Sequence, residues 1–271
     1  YDAGTDTLRP LAWDEAFQRI AAVLQTLPPE QVEFYTSGRA SNEAAYLFQL
    51  FAREFGSNNF PDCSNMCHEP TSVGLPQSIG IGKGTVSLDD FDRAELVISI
   101  GHNPGTNHPR MMGTLHELAR KKVPIIVFNP LRERALERFT DPQNVIEMAT
   151  YSSTPIASTY YQVKAGGDAA ALKGIAKALL QLDDEHGNAL DHAFIAEHTE
   201  GFTAFNADLR ATRWEAIEAE SGLTRQDLEQ GAAAYAKSNA TIVTYGMGIT
   251  QHNKGTANVR LIADLLLLRG N

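Results

Sequence analysis

The stretch Leu96-Val97-Ile98-Ser99-Ile100-Gly101-His102-Asn103-Pro104-Gly105-Thr106-Asn107-His108-Pro109 decides the fold. It opens on a continuous apolar run, as expected of a strand buried on both faces of a parallel sheet. The run stops at Gly101, and the Gly, Asn and Pro that follow are the residues of a turn. Beyond the turn the spacing predicts a helix from about Arg110 to Lys121. Val123-Pro124-Ile125-Ile126-Val127-Phe128 then reads as a second strand, ending at Asn129-Pro130. Strand, loop, helix and strand in this order imply parallel neighbours joined by a right-handed crossover.

Outward from this unit the alternation continues. Residues Arg132 to Ser158 are polar and lack firm periodicity, which predicts an irregular excursion. After the turn Lys164-Ala165-Gly166-Gly167-Asp168 a helix is expected to Gln181, then shorter helices over Asp191–His198, Thr212–Ser221 and Thr224–Lys237. Ala240 to Tyr245 reads as a strand that ends in Gly246-Met247-Gly248, and Thr256 to Arg269 as the last helix. Toward the start, a helix from Trp13 to Leu27 stops at Pro28-Pro29. Val32-Glu33-Phe34-Tyr35 reads as a short strand, and Ser41 as the N-cap of a helix that runs to Phe55 and stops at Gly56. The expected class is α/β, a mostly parallel sheet flanked by helices.

With 271 residues, 43% of them hydrophobic, the chain can bury a substantial core as one large domain or two smaller ones. A balance of 23 basic against 33 acidic residues, net charge -10, argues against nucleic acid or an anionic membrane as the main partner. The late run Leu261 to Arg269 is too short and too charged to insert in a membrane. The two cysteines, Cys63 and Cys67, are too few for a secreted disulfide framework. Tyr1 stands where an initiator Met would, so the chain is expected to be a piece of a longer one.

In open parallel sheets, ligands lie outside the carboxyl ends of the strands. The loops there, at Ser37-Gly38, Gly101 to His108, Asn129-Pro130 and Gly246 to Gln251, offer backbone donors and short polar side chains. They suit a large polar ligand such as a nucleotide, although none carries the GxGxxG fingerprint. The bland reading is that they are only turns, with His102 and His108 as surface histidines. Cys67-His68 is the chemically distinctive pair: a thiolate is a soft metal ligand, and an imidazole beside it moves protons. Gly and Pro downstream, through Gly84, are expected to leave the backbone free to approach something bulky. Against this, Cys63 and Cys67 also read as a buried pair of thiols; a structural zinc would need a fourth ligand that the segment lacks.

Several ordered motifs now carry a resemblance. Pro10-Leu11-Ala12-Trp13-Asp14-Glu15-Ala16, Cys67-His68-Glu69-Pro70-Thr71-Ser72-Val73-Gly74-Leu75, Asp92-Arg93-Ala94-Glu95-Leu96-Val97, Gly101-His102-Asn103-Pro104, Thr199-Glu200-Gly201-Phe202, Tyr245-Gly246-Met247-Gly248-Ile249-Thr250-Gln251 and Leu268-Arg269-Gly270-Asn271 together resemble the molybdopterin-dependent oxidoreductases, in particular the catalytic subunit of formate dehydrogenases. The resemblance implies a bis(molybdopterin guanine dinucleotide) cofactor carrying molybdenum or tungsten, with Cys67 as metal ligand and His68 as the residue that receives a proton or orients substrate. It places cofactor contacts on Ser37, Gly38, Asn42, Gly101, Asn103, Asn107, His108, Asn129, Gly166, Asp168, Gly246, Met247, Gly248 and Gln251, with Asp168 accepting N–H bonds from a guanine edge.

The same resemblance implies a cytoplasmic enzyme that oxidises formate or a similar small substrate. Its electrons would pass to an electron-transfer partner by way of a 4Fe-4S cluster whose ligands lie outside this chain. It also implies that residues 1–61 are part of a discontinuous α/β domain and residues 62–271 a Rossmann-like nucleotide-binding domain. Two departures stand out: Asn129-Pro130-Leu131-Arg132 replaces the Asp-Pro-Arg of many relatives, and Glu133 to Tyr161 is longer than usual. A reductase of another small oxyanion or oxide, and a non-catalytic nucleotide-binding module, are the alternative readings.

Overall fold

The computed structural model describes residues 1–36, 40–61 and 63–271, and the side chains of all of these except 63–66. Two compact units divide the chain at Met66/Cys67.

The first unit holds helices α1 (Trp13–Leu24) and α2 (Asn42–Phe55). The Ser41 hydroxyl accepts from the Ala44 N–H at 3.1 Å, and Gly56 closes α2 in the left-handed conformation, so both ends are satisfied as the sequence predicts. Phe34 is buried among the rings of Phe48, Phe51, Phe55 and Phe60. The strand expected over Val32–Tyr35 is not formed. The segment is extended, but its one main-chain bond to a distant residue among those described, Phe34 N–H to Asn59 O, does not make a ladder.

The second unit begins within α3 (Cys63–Ile79), a helix that the prolines Pro70 and Pro76 concealed in the sequence. It breaks at His68, whose φ of -134° and ψ of 21° are not helical. Pro70 gives no N–H to the turn before it, which makes a break here cheap. Gly74 serves helix packing and not a bulky ligand: a Cβ there would stand 3.1 Å from the Thr256 carbonyl and from Val259 of the last helix.

Three of the sheet's four strands stand where the sequence reading put them, and the fourth, Thr159–Tyr161, was not read from the sequence. Strands β1 (Leu96–Ile100), β2 (Ile125–Phe128), β5 (Thr159–Tyr161) and β6 (Thr241–Tyr245) run parallel in the order β5-β2-β1-β6. Between β1 and β2 lie a short helix α4 (Pro104–Asn107) and α5 (Pro109–Arg120). The excursion after β2 contains α6 (Arg134–Glu137), the two-residue ribbon β3 (Arg138–Phe139) with β4 (Thr154–Pro155), and α7 (Val145–Thr150). His116 of α5 anchors it: Nε2 lies 3.0 Å from Glu147 Oε1 and 3.0 Å from Thr154 Oγ1, with His116 and Glu147 both buried. The remaining helices are α8 (Asp168–His186), α9 (His192–His198), α10 (Phe202–Ala211), α11 (Trp214–Ser221), α12 (Arg225–Ala236), α13 (Met247–Thr250) and α14 (Gly255–Leu267).

Side chains alternate across β1 as a pleated strand requires. Leu96, Ile98 and Ile100 join Leu172, Ile175, Leu179, Leu228 and Ile262 in one core, while Val97 joins Met112, Leu115 and Leu118 of α5 in the other. β1 and β2 are joined by α5. The chain then moves outward to β5, passes through α8 to α12, and returns to β6 on the far side of β1. The strand order therefore reverses between β1 and β6, the place where a crevice opens in folds of this class. Among the described residues no helix is long and apolar enough to cross a membrane.

Candidate active site

The switch point between β1 and β6 gathers most of the chemistry the sequence singled out in the second unit. The loop after β1 and the loop after β6 touch through their backbones: the Gly248 N–H donates to the Gly101 carbonyl at 3.0 Å. Gly101 has φ +63°, and neither residue has room for a Cβ facing the other. Cys67 lies against the second loop. Its Sγ is 3.5 Å from Met247 Sδ, and the Thr250 hydroxyl donates to its carbonyl. Cys67 carries a free thiol; the Cys63 side chain lies outside the described ones.

His68 faces a different set of groups. Its Nδ1 is 3.4 Å from Thr71 Oγ1, which is 2.9 Å from the Tyr245 hydroxyl at the end of β6. Burial raises the pKa of Tyr245, and the bond to Thr71 partly offsets this. His68, Thr71, His102, His108 and Tyr245 all line one cavity of about 830 Å³, whose walls include Leu75, Val243, Ile262 and Leu266.

His102 is not the surface histidine its loop suggested. Its Nε2 is 2.9 Å from Ser99 Oγ and 3.1 Å from Thr244 Oγ1, two residues that are partners in the β1–β6 ladder. Burial, with a smaller push from His108, lowers its pKa to about 4, so the ring is neutral at pH 7. Thr71, Tyr245 and His102 are the site residues the sequence reading passed over. Tyr245 and Thr244 end a strand, the position from which ligand groups project, and that was the available signal.

The other expected contacts are distributed as follows. Asn103 donates through Nδ2 to Glu133 Oε2 at 2.7 Å, while its buried Oδ1 has no partner among the described residues, an acceptor open to an incoming N–H. Asn107, His108, Met247 and Gln251 are exposed at the loop rims. Asn129 is buried and spends its amide on the Leu131 carbonyl in its own turn. Gly166 packs under His252. Asp168 is buried at the start of α8, where the helix N-terminus favours an anion; burial nevertheless raises its pKa, opposed by its own backbone N–H and by His252. Asn42 is exposed in the first turn of α2 in the first unit. Ser37 and Gly38 lie outside the described residues.

The family model of the molybdopterin oxidoreductases matches residues 2–271. The chain belongs to that family. It is 56% identical to Protein YdeP of Escherichia coli (strain K12), covering 100% of this chain and 36% of that one. It is 30% identical to formate dehydrogenase H of the same organism, over 97% of this chain and 34% of the relative. The chain thus spans about a third of the length of these relatives. A solved structure of matching fold, acetylene hydratase from Pelobacter acetylenicus, superposes with a TM-score of 0.63 at 17% identity, covering 97% of this chain and 33% of that one. Membership in the family is what this match shows, and the family implies a molybdopterin cofactor with molybdenum or tungsten.

The residues present suit such a cofactor. Among those described, no group of three or more His, Cys, Asp or Glu could hold a metal ion. Cys67 instead offers one thiol with a thioether beside it, a soft donor for a metal that arrives with most of its ligands. The Asn103 Oδ1 acceptor and the closely packed Gly101 and Gly248 backbones add a polar rim at the strand ends.

Proposed function

We propose that this chain is the central part of a formate dehydrogenase-like enzyme that removes two electrons and a proton from a small substrate. The cofactor is a bis(molybdopterin guanine dinucleotide), and Cys67 ligates the metal. The observation that carries this reading is the Cys67–His68 pair at the break in α3, with Cys67 against the loop after β6 and His68 opening on the adjacent cavity. Identity to formate dehydrogenase H along nearly the whole chain supports formate as the first substrate to try.

Bound, the cofactor supplies the two-electron redox chemistry. The protein's part is to hold it and to manage the proton. Formate becomes carbon dioxide with loss of one proton and two electrons. His68, next to the ligand and lining the cavity, orients the anion or holds that proton. Gly101, Asn103, Asn107 and His108 on one loop, and Gly246, Met247, Gly248 and Gln251 on the other, contact the dinucleotide with Asn42, Asn129, Gly166 and Asp168, together with Ser37 and Gly38. Asp168 reads the guanine edge. In the proposed domain division, residues 1–61 contribute to a discontinuous α/β domain and residues 62–271 form the nucleotide-binding domain. A 4Fe-4S cluster and an electron-transfer partner outside these residues complete the enzyme.

The test is elemental analysis of the full-length protein from a host that makes the cofactor, with guanine nucleotide measured after denaturation and formate-dependent dye reduction assayed. Molybdenum or tungsten with about two guanine nucleotides per metal supports the cofactor assignment. Metal and nucleotide without formate turnover would favour another small oxyanion or oxide as substrate. Neither metal nor nucleotide would overturn the reading in favour of a binding module.

A further inference from the structure

We propose that Thr71 and Tyr245 are positioning residues that hold His68 as the Nε2–H tautomer, so that its ring meets an oxyanion substrate as a hydrogen-bond donor. This rests on the reading above that His68 faces substrate.

The argument starts from direction in a short chain of hydroxyls. Tyr245 OH and Thr71 Oγ1 are 2.9 Å apart, and Thr71 Oγ1 is 3.4 Å from His68 Nδ1. A phenol is a far stronger acid than an aliphatic alcohol, so in a Tyr–Thr pair the phenol donates. Burial reinforces this by keeping Tyr245 protonated. Once Thr71 has accepted from Tyr245, its own single proton is left to donate, and among the described residues the acceptor paired with it is His68 Nδ1. A neutral imidazole whose Nδ1 accepts carries its proton on Nε2.

The backbone favours the same arrangement. His68 sits at the break in α3 with φ -134°, while Thr71, three residues on, lies beyond Pro70 in the resumed helix. Tyr245 comes from the end of β6, so the relay ties the reactive segment of α3 to the sheet at its switch point. Thr71, His68 and Tyr245 all line the same cavity. With Nε2 protonated, His68 offers an N–H to an anionic oxygen. It does not act as a neutral acceptor at that nitrogen. The chemical class this fits is a small substrate bearing a carboxylate or other oxyanion.

The experiment uses the full-length protein labelled with ¹⁵N-histidine. Solid-state nitrogen spectra are recorded at about pH 8, where an ordinary imidazole is neutral, and the His68 signals are identified by subtracting the spectrum of His68→Gln. The expected result is an unprotonated Nδ1 in the wild type, loss of that signature in Thr71→Val, weakening in Tyr245→Phe, and retention in Thr71→Ser. If Thr71→Val does not fold, the wild type, Tyr245→Phe and Thr71→Ser still decide. A proton on Nδ1 in the wild type, or spectra unchanged by both Tyr245→Phe and Thr71→Val, would overturn the proposal. Because the tautomer is read without turnover, its failure is distinct from absence of the metal. In the active enzyme, Thr71→Val is further expected to raise KM for an oxyanion substrate about tenfold or more while changing kcat less; an unchanged KM would overturn the substrate-facing part.

Discussion

Gly248 and Gly101 meet backbone to backbone, N–H to carbonyl at 3.0 Å, and this contact joins the two loops that frame the switch point. A Cβ on Gly248 would stand 2.5 Å from the Gly101 oxygen, an atom that cannot swing aside as a side chain can. Gly248→Ala is therefore expected to cost about 1–3 kcal/mol, seen as a lowered Tm. Gly113→Ala is the contrasting substitution: it lies inside α5 with nothing from outside its own helix within 4 Å of the added methyl among the described residues, and should stabilise by about 0.5–1 kcal/mol. Equal effects from the two would refute the packing argument.

His102 makes stability depend on pH. In the folded protein its pKa is about 4, well below the 6.5 of an ordinary histidine, because burial disfavours the charged ring. Between those values the unfolded chain binds a proton that the native state refuses. The contribution is thus fully present above pH 6.5 and is lost as pH falls toward 4. Its ceiling is about 3 kcal/mol. Denaturant titrations from pH 7 to pH 4 should show a steeper loss for the wild type than for His102→Gln. Parallel curves would mean that His102 titrates normally.

The excursion after β2 hangs on Glu147, which accepts from the Asp141 N–H at 2.9 Å and pairs with buried His116 at 3.0 Å. Glu147→Ala strips His116 of one partner and frees that N–H, at a cost of about 1–3 kcal/mol. Limited proteolysis should then cut first within residues 140–153. A cleavage pattern identical to wild type would show that the anchor lies elsewhere.

Asp168 separates binding from folding. It sits at the start of α8, where a neutral amide replacement is mild for the helix. Asp168→Asn should change stability by less than about 1 kcal/mol while reducing the guanine nucleotide recovered from the full-length protein. Undiminished nucleotide would remove Asp168 from the guanine contact.

What the sequence made legible was governed by local rules. β1 and β2 were readable because strands buried on both faces are near-continuous apolar runs, and β6 because its residues are β-branched and aromatic; each ends at a residue that punctuates, Gly101, Asn129 or Gly246. α3 was not, because Pro70, Gly74 and Pro76 signal against a helix, and its resumption after His68 depends on packing against α14. β5 is three residues long and is defined by its ladder with Ile126 to Phe128. The Cys67–His68 pair announced itself by residue type. Its supporting residues did not, since Thr71, Tyr245 and Thr244 acquire their roles only when a helix and two strands are brought to one point.

The order of the strands also sets the order in which the sheet is completed. Val97 pairs with Ile125 across a short loop and helix, whereas Leu96 pairs with Thr241, about 145 positions away. Closing the second pairing costs more chain entropy and comes later. During synthesis from the ribosome, β1 and β2 emerge and associate while the other side of β1 waits for β6 with its hydrogen-bonding groups uncovered. That interval is when the nascent chain is most open to misassociation with a foreign strand, and when a chaperone would be of most use to it.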